Sequence, residues 1–133
     1  MQERYGNNIV KMIKHRQQMK RWRKANPVRF RALQMNNRAK QYGATDKVTA
    51  EDLEGIYKDQ EGCCFYCHRE VAYKLTPSVR RKITFDHRVS LSKGGSNTRS
   101  NIVVACARCN SAKRHKQEAA FVLDRAATVA HKD

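Results

Sequence analysis

The chain has 133 residues, 40% of them hydrophobic and 8% aromatic, which suits one small domain with an appendage and a core that needs reinforcement. Its 28 Lys and Arg against 12 Asp and Glu give a formal net charge of +16, a balance suited to nucleic acid or an anionic membrane face. No apolar run approaches the ~20 residues of a membrane span, and the N-terminus has no apolar signal segment; an intracellular protein that does not enter a membrane is expected.

The charge is unevenly spread. Residues 1–45 hold twelve Lys or Arg and one acidic residue, Glu3, for a net of +11, whereas residues 46–133 have a net of +5. This asymmetry predicts a basic helical arm over 1–45 ahead of a domain over 46–133. In the arm, Tyr5, Ile9, Met12, Met19 and Trp22 follow a rough 3–4 spacing broken by Arg16, which predicts a helix with a thin apolar stripe. Asn26-Pro27 reads as a cap followed by proline at the first helical position. A second helix is then expected through Phe30, Leu33 and Tyr42, stopping at Gly43. The stripe is too sparse to fold alone, so ordering on a partner is expected. Arg21, Arg23 and Lys24 are the arm's candidate nucleic-acid contacts.

Thr49 begins the next helix as its cap, with Glu51 and Asp52 at the positive helix end and Val48 placed to staple against Leu53. Leu53, Ile56 and Tyr57 form its expected buried face, with no chemistry assigned.

Cysteine usage favours metal over disulfides, because five thiols are an odd number and four fall into two Cys-x-x-Cys pairs. Cys64, Cys67, Cys106 and Cys109 are expected to close one tetrahedral structural zinc site, leaving Cys63 outside it. The 38 residues between Cys67 and Cys106 exceed the gap of a simple zinc ribbon, so something structured must fill the interval. Tyr66 is read as packing and His68 as facing solvent. The segment 73–82 is expected as a loop or hairpin, and its Arg80, Arg81 and Lys82 are candidate phosphate contacts.

Ile83-Thr84-Phe85 alternates and is β-prone, delivering Asp86 and His87 to a strand end. Adjacent strand residues face opposite ways, so a kink or strand end is needed to aim both at one ion. Gly94-Gly95 marks a loop, and 101–105 returns as a second short strand or tight turn. A helix from about Ala107 places Asn110, Lys113 and Arg114 on one face. A carboxylate, an imidazole and a carboxamide beside a zinc knuckle are the parts of a metal-assisted hydrolytic site.

These motifs together (Cys-x-Tyr-Cys, Asp-His, Gly-Gly-Ser-Asn, Ser-Asn-Ile-Val, Ala-Cys-x-x-Cys-Asn and Lys113) resemble the HNH endonuclease family over residues 49–116. The resemblance implies an α+β, ββα-metal (His-Me finger) domain with core motif 64–113. It further implies Asp86 and Asn110 as ligands of the catalytic ion, whose oxygen donors would favour Mg²⁺ or Mn²⁺, His87 as general base, and Asn101 as the asparagine that holds the loop and orients the histidine. Lys113 or Arg114 would bind the scissile phosphate or its neighbour. The implied activity is metal-dependent hydrolysis of double-stranded DNA, with double-strand breaks requiring dimerisation or two visits. The arm and Thr-capped helix resemble small phage-encoded members more loosely. Family members often have glycine where His68 stands. A non-catalytic zinc-bearing DNA-binding module and a nuclease toxin are the rival readings.

Overall fold

The computed structural model describes residues 2–72, 82–113 and Phe121, with side chains from residue 6 onward. Its elements are α1 (Gln2–Ala25), α2 (Pro27–Gln41), α3 (Ala50–Asp59), β1 (Ile83–His87), β2 (Ile102–Cys106) and α4 (Ala107–Lys113). This is an α+β arrangement in which the two strands form one antiparallel sheet and α4 follows β2 directly. No described helix is long and apolar enough to cross a membrane.

The two basic helices differ in how they are held. Ile9, Val10, Met12 and Ile13 of α1 are all exposed, and among the described residues of its expected stripe only Met19 and Trp22 are half-buried. The neighbour of α1 is α2, joined to it by the Arg23 guanidinium lying 4.6 Å from the Phe30 ring centroid. Asn26 does not cap α2 with its side chain. Its Nδ2 and its backbone N–H both donate to Trp22 O, so it secures the end of α1, while Pro27 takes the first turn of α2 as expected.

Helix α2 is integral to the core. Ala32, Met35 and Ala39 are its buried residues, whereas Leu33 and Tyr42 of the stripe are about half exposed. The sequence stripe misleads because the core-facing side of α2 is lined by small and flexible residues, which let the helix approach closely. Tertiary packing therefore runs across the boundary expected at residue 45. Gly43, at φ +79°, ends α2 as expected. Its N–H bonds Lys40 O, and the next N–H, of Ala44, bonds Ala39 O, the paired bonds of a glycine-terminated helix.

Helix α3 starts as the sequence dictates. Thr49 Oγ1 accepts from Asp52 N, and Asp52 Oδ2 accepts from Thr49 N. Val48, Leu53 and Ile56 enter a core that also contains Val71, Ile83, Phe85 and 102–106. Beyond the helix, Gln60 locks onto β2: its Nε2 donates to Val104 O and its Oε1 accepts from Val104 N.

In the sheet, Ile83 faces Cys106 and His87 faces Ile102. Every residue of β2 is buried, which is why it reads as an unbroken apolar run. The connecting segment turns at Gly94 (φ +85°), and a Cβ on Gly95 would collide with the Val89 carbonyl oxygen. The Gly-Gly pair thus meets two separate demands, a left-handed turn and a close backbone approach.

Candidate active site

The four thiols expected to share a metal are brought together. The Sγ atoms of Cys64, Cys67, Cys106 and Cys109 all lie within 4.8 Å of one another, and Cys67 Sγ is 4.0 Å from Cys106 Sγ. A tetrahedral zinc with bonds of ~2.3 Å needs sulfurs about 3.8 Å apart, so this donor set fits that ion. The Cys106 thiol is pulled well below its ordinary range, mainly by hydrogen bonding from the neighbouring Cys109 and Cys64. The same contacts push the Cys109 thiol up, because crowded thiols cannot all ionise without a cation. Cys63 stays outside, its Sγ 3.6 Å from Glu61 O. His68 sits in the turn after the first knuckle with φ +61°, the left-handed conformation that glycine takes most easily.

Asp86 and His87 end β1, and both line a cavity of about 240 Å³ together with Asn110 from α4. Placing His87 as the last strand residue resolves the opposed directions expected of neighbours. Asn110 is half-buried and its carboxamide makes no hydrogen bond to a described group.

Each of the first two side chains is held by a buried polar group. Asn97 and Lys113 are the only buried polar or charged residues among those described, at 0% and 1% exposure. Lys113 Nζ donates to Asp86 Oδ2 at 2.7 Å, to His87 O at 2.8 Å and to Arg88 O at 3.0 Å. All three ammonium donors are occupied, so the phosphate contact expected of Lys113 is not the one its side chain makes. Tyr66, read as packing, is buried but also donates from its hydroxyl to Asp86 Oδ2 at 2.6 Å. With Oδ2 doubly bonded, Asp86 Oδ1 has no described partner and is the oxygen available to an ion. Asp86 and Asn110 both line the cavity, and carboxylate and carboxamide oxygens are the donor types that a hard divalent cation takes.

Asn97 fixes the imidazole. Its Nδ2 donates to Asp46 O and to Asn36 Oδ1, both at 2.9 Å, while its Oδ1 lies 2.9 Å from His87 Nε2. Asp46 O is a carbonyl and can only accept, so the amide cannot be reversed and Oδ1 must face the ring. Neutral His87 therefore carries its proton on Nε2 and its lone pair on Nδ1. Asn36 is locked in turn, because its Nδ2 donates to Val48 O and its Oδ1 accepts from Val48 N. Burial lowers the His87 pKa below its ordinary value, with Arg38 and Lys113 adding to the fall. The Asn97 bond and the Asp86 charge oppose it.

Asn101 bonds across the loop between the two strands. Its Nδ2 donates to Val89 O and Ser96 O, and its Oδ1 accepts from Val89 N. The orienting contact to the imidazole comes from Asn97 and not from Asn101. Asn97, Asn36 and Tyr66 lie outside any sequence expectation of a site, and only the Gly-Gly-Ser-Asn motif hinted at the first of them.

Arg21, Arg23 and Lys24 are exposed on α1, and Lys82 is half-buried beside β1. Arg80, Arg81 and Arg114 lie outside the described residues. No curated protein matches the chain. The family model described as HNH endonuclease matches residues 64–116, the segment that holds the four cysteines and the Asp86-His87 pair, so over this stretch the chain is similar to that family.

Proposed function

We propose that the protein is a metal-dependent endonuclease that hydrolyses phosphodiester bonds of double-stranded DNA. The observation that carries this reading is the pairing of the two buried polar side chains with the two adjacent site residues: Lys113 on Asp86 and Asn97 on His87. Such placement of buried polar groups favours a working site over a surface dipeptide.

In this reading β1, β2 and α4 form a ββα-metal unit steadied by zinc on the four cysteines. His87 Nδ1 takes a proton from a water whose oxygen forms a bond to phosphorus, while the bond from phosphorus to the leaving ester oxygen breaks. The departing oxygen is protonated from solvent. Asp86 Oδ1 and Asn110 would hold Mg²⁺ or Mn²⁺. When bound, that ion supplies charge neutralisation at the phosphate and the leaving oxygen. Asn97 keeps the base in the correct tautomer, and Asn101 keeps the loop closed around it.

The test is nicking of supercoiled plasmid by the whole chain with Mg²⁺, with and without chelator. Conversion to open circles only with the free ion supports the proposal. Retarded but uncut plasmid under both conditions identifies a DNA-binding protein without catalysis.

Helix α1 then acts as the duplex grip, with Arg21, Arg23 and Lys24 among its contacts. Deleting residues 1–25 is expected to flatten the salt dependence of DNA binding by roughly 0.9 in log–log slope for each phosphate that α1 neutralises. The cut belongs at residue 25 because removal to 45 would take Ala32, Met35 and Asn36 out of the core and the imidazole network. An unchanged slope in filter binding across a salt series would leave α1 without that role.

A further inference from the structure

Helix α2 presents two arginines that neither the family motifs nor the steps above use. Arg31 and Arg38 are seven residues apart, close to two turns on one helix face. Both line the cavity of Asp86, His87 and Asn110. Neither forms an ion pair or hydrogen bond with a described group. Asp86, the carboxylate in the same wall, is already bound to Lys113 at 2.7 Å and so does not neutralise them.

The cavity wall therefore combines two guanidiniums with one carboxylate, and that carboxylate is already paired with Lys113. Burial of Arg31 and its proximity to Arg38 both disfavour its charged form, as expected for two guanidiniums with no counter-ion among the described residues. An anion entering the cavity would relieve that repulsion. Guanidinium forks match phosphate oxygens with paired N–H donors, better than ammonium groups do.

We propose that Arg31 and Arg38 are phosphate ligands of the active site, gripping the strand to be cut by the non-bridging oxygens at or next to the scissile phosphorus. This rests on the nuclease reading for the word scissile, but the phosphate site itself does not. It makes α2 a wall of the catalytic cavity, joined to the base on one side through Asn36 and Asn97 and to the substrate on the other.

Two measurements on the full chain test it. In the first, plasmid nicking by Arg31→Gln, Arg38→Gln and the double variant is compared with Arg29→Gln, an exposed arginine of the same helix outside the cavity. Each cavity variant is expected to lose about tenfold or more in kcat/KM and the double variant about a hundredfold, as for missing charge-assisted phosphate bonds. Zinc content should not change, and Arg38→Lys should recover only part of the loss, since it keeps charge without the fork. In the second, thymidine 3′,5′-bisphosphate is titrated while the arginine Nε–Hε NMR signals are followed. The Arg31 and Arg38 signals should move and saturate, and the double variant should bind at least about tenfold more weakly.

Unmoved Arg31 and Arg38 signals, or a double variant nicking within about twofold of wild type, would overturn the proposal. A wild-type chain that binds the bisphosphate at these arginines yet never nicks plasmid would support the phosphate site and reject the nuclease reading.

Discussion

Replacing His87 by alanine is expected to slow Mg²⁺-dependent plasmid nicking by roughly 10²–10⁴-fold, the range associated with loss of a general base. DNA affinity and the thermal transition should stay close to wild type. His87 is half-buried at a strand end and contributes no side chain to the apolar core. The size of the effect follows from how fully the ring has been prepared. The Val48 peptide orients Asn36, Asn36 and the Asp46 carbonyl orient Asn97, and Asn97 leaves the imidazole with its lone pair on Nδ1. Burial also keeps the ring neutral, since the pKa is lower in the folded protein than its ordinary value. The sign for activity is then fixed. The base is competent above its folded pKa, and the rate falls as pH drops through that value, below the ordinary histidine range. His87→Ala should lack this acid limb. A variant nicking at near wild-type rate, or one that retains the limb, would remove His87 from the role.

Cys106→Ser, or Cys67→Ser, is expected to abolish the cooperative thermal transition altogether. Cys64, Cys106 and Cys109 lie within the hydrophobic core itself, so the metal would cross-link the first knuckle to β2 and α4. Structural zinc binding in small domains is worth about 10–16 kcal/mol, as large as the ~5–15 kcal/mol net stability of a whole domain. A serine hydroxyl is a poor zinc ligand and would leave the remaining three thiols crowded and buried without a cation. Far-UV circular dichroism during heating, with zinc measured by atomic absorption, reads the outcome. A serine variant that melts cooperatively and contains no zinc would show that the apolar core suffices. Strong chelation of the wild type should reproduce the loss, since ligand removal and metal removal delete the same cross-link.

These two effects bracket what the chain's spacing makes legible. The cysteine pairs, the Asp86-His87 step and the Thr49 cap are legible because each depends on residues a few positions apart, where covalent spacing sets the geometry. The α3 capping box and the start of α4 near Ala107 appear where local chemistry puts them. Grouping four thiols into one cluster is also legible, because two identical pairs leave one economical pairing with a tetrahedral ion.

What the sequence could not show were the long-range choices of polar side chains. Asn97 meets Asn36 across 61 residues, and Lys113 reaches Asp86 across 27. Nothing in a lysine after a Cys-Asn pair indicates whether it will face solvent or be drawn under a carboxylate. The helix α2 likewise reads as part of a basic arm, because charge dominates its composition. Its few apolar contacts, Ala32 and Met35, decide its position and carry Arg31 and Arg38 into the cavity wall. Sequence spacing thus singled out the candidate groups, because neighbours along the chain are held by bonds. Folding settled which atoms are free to act, because only packing determines which donors and acceptors are already satisfied.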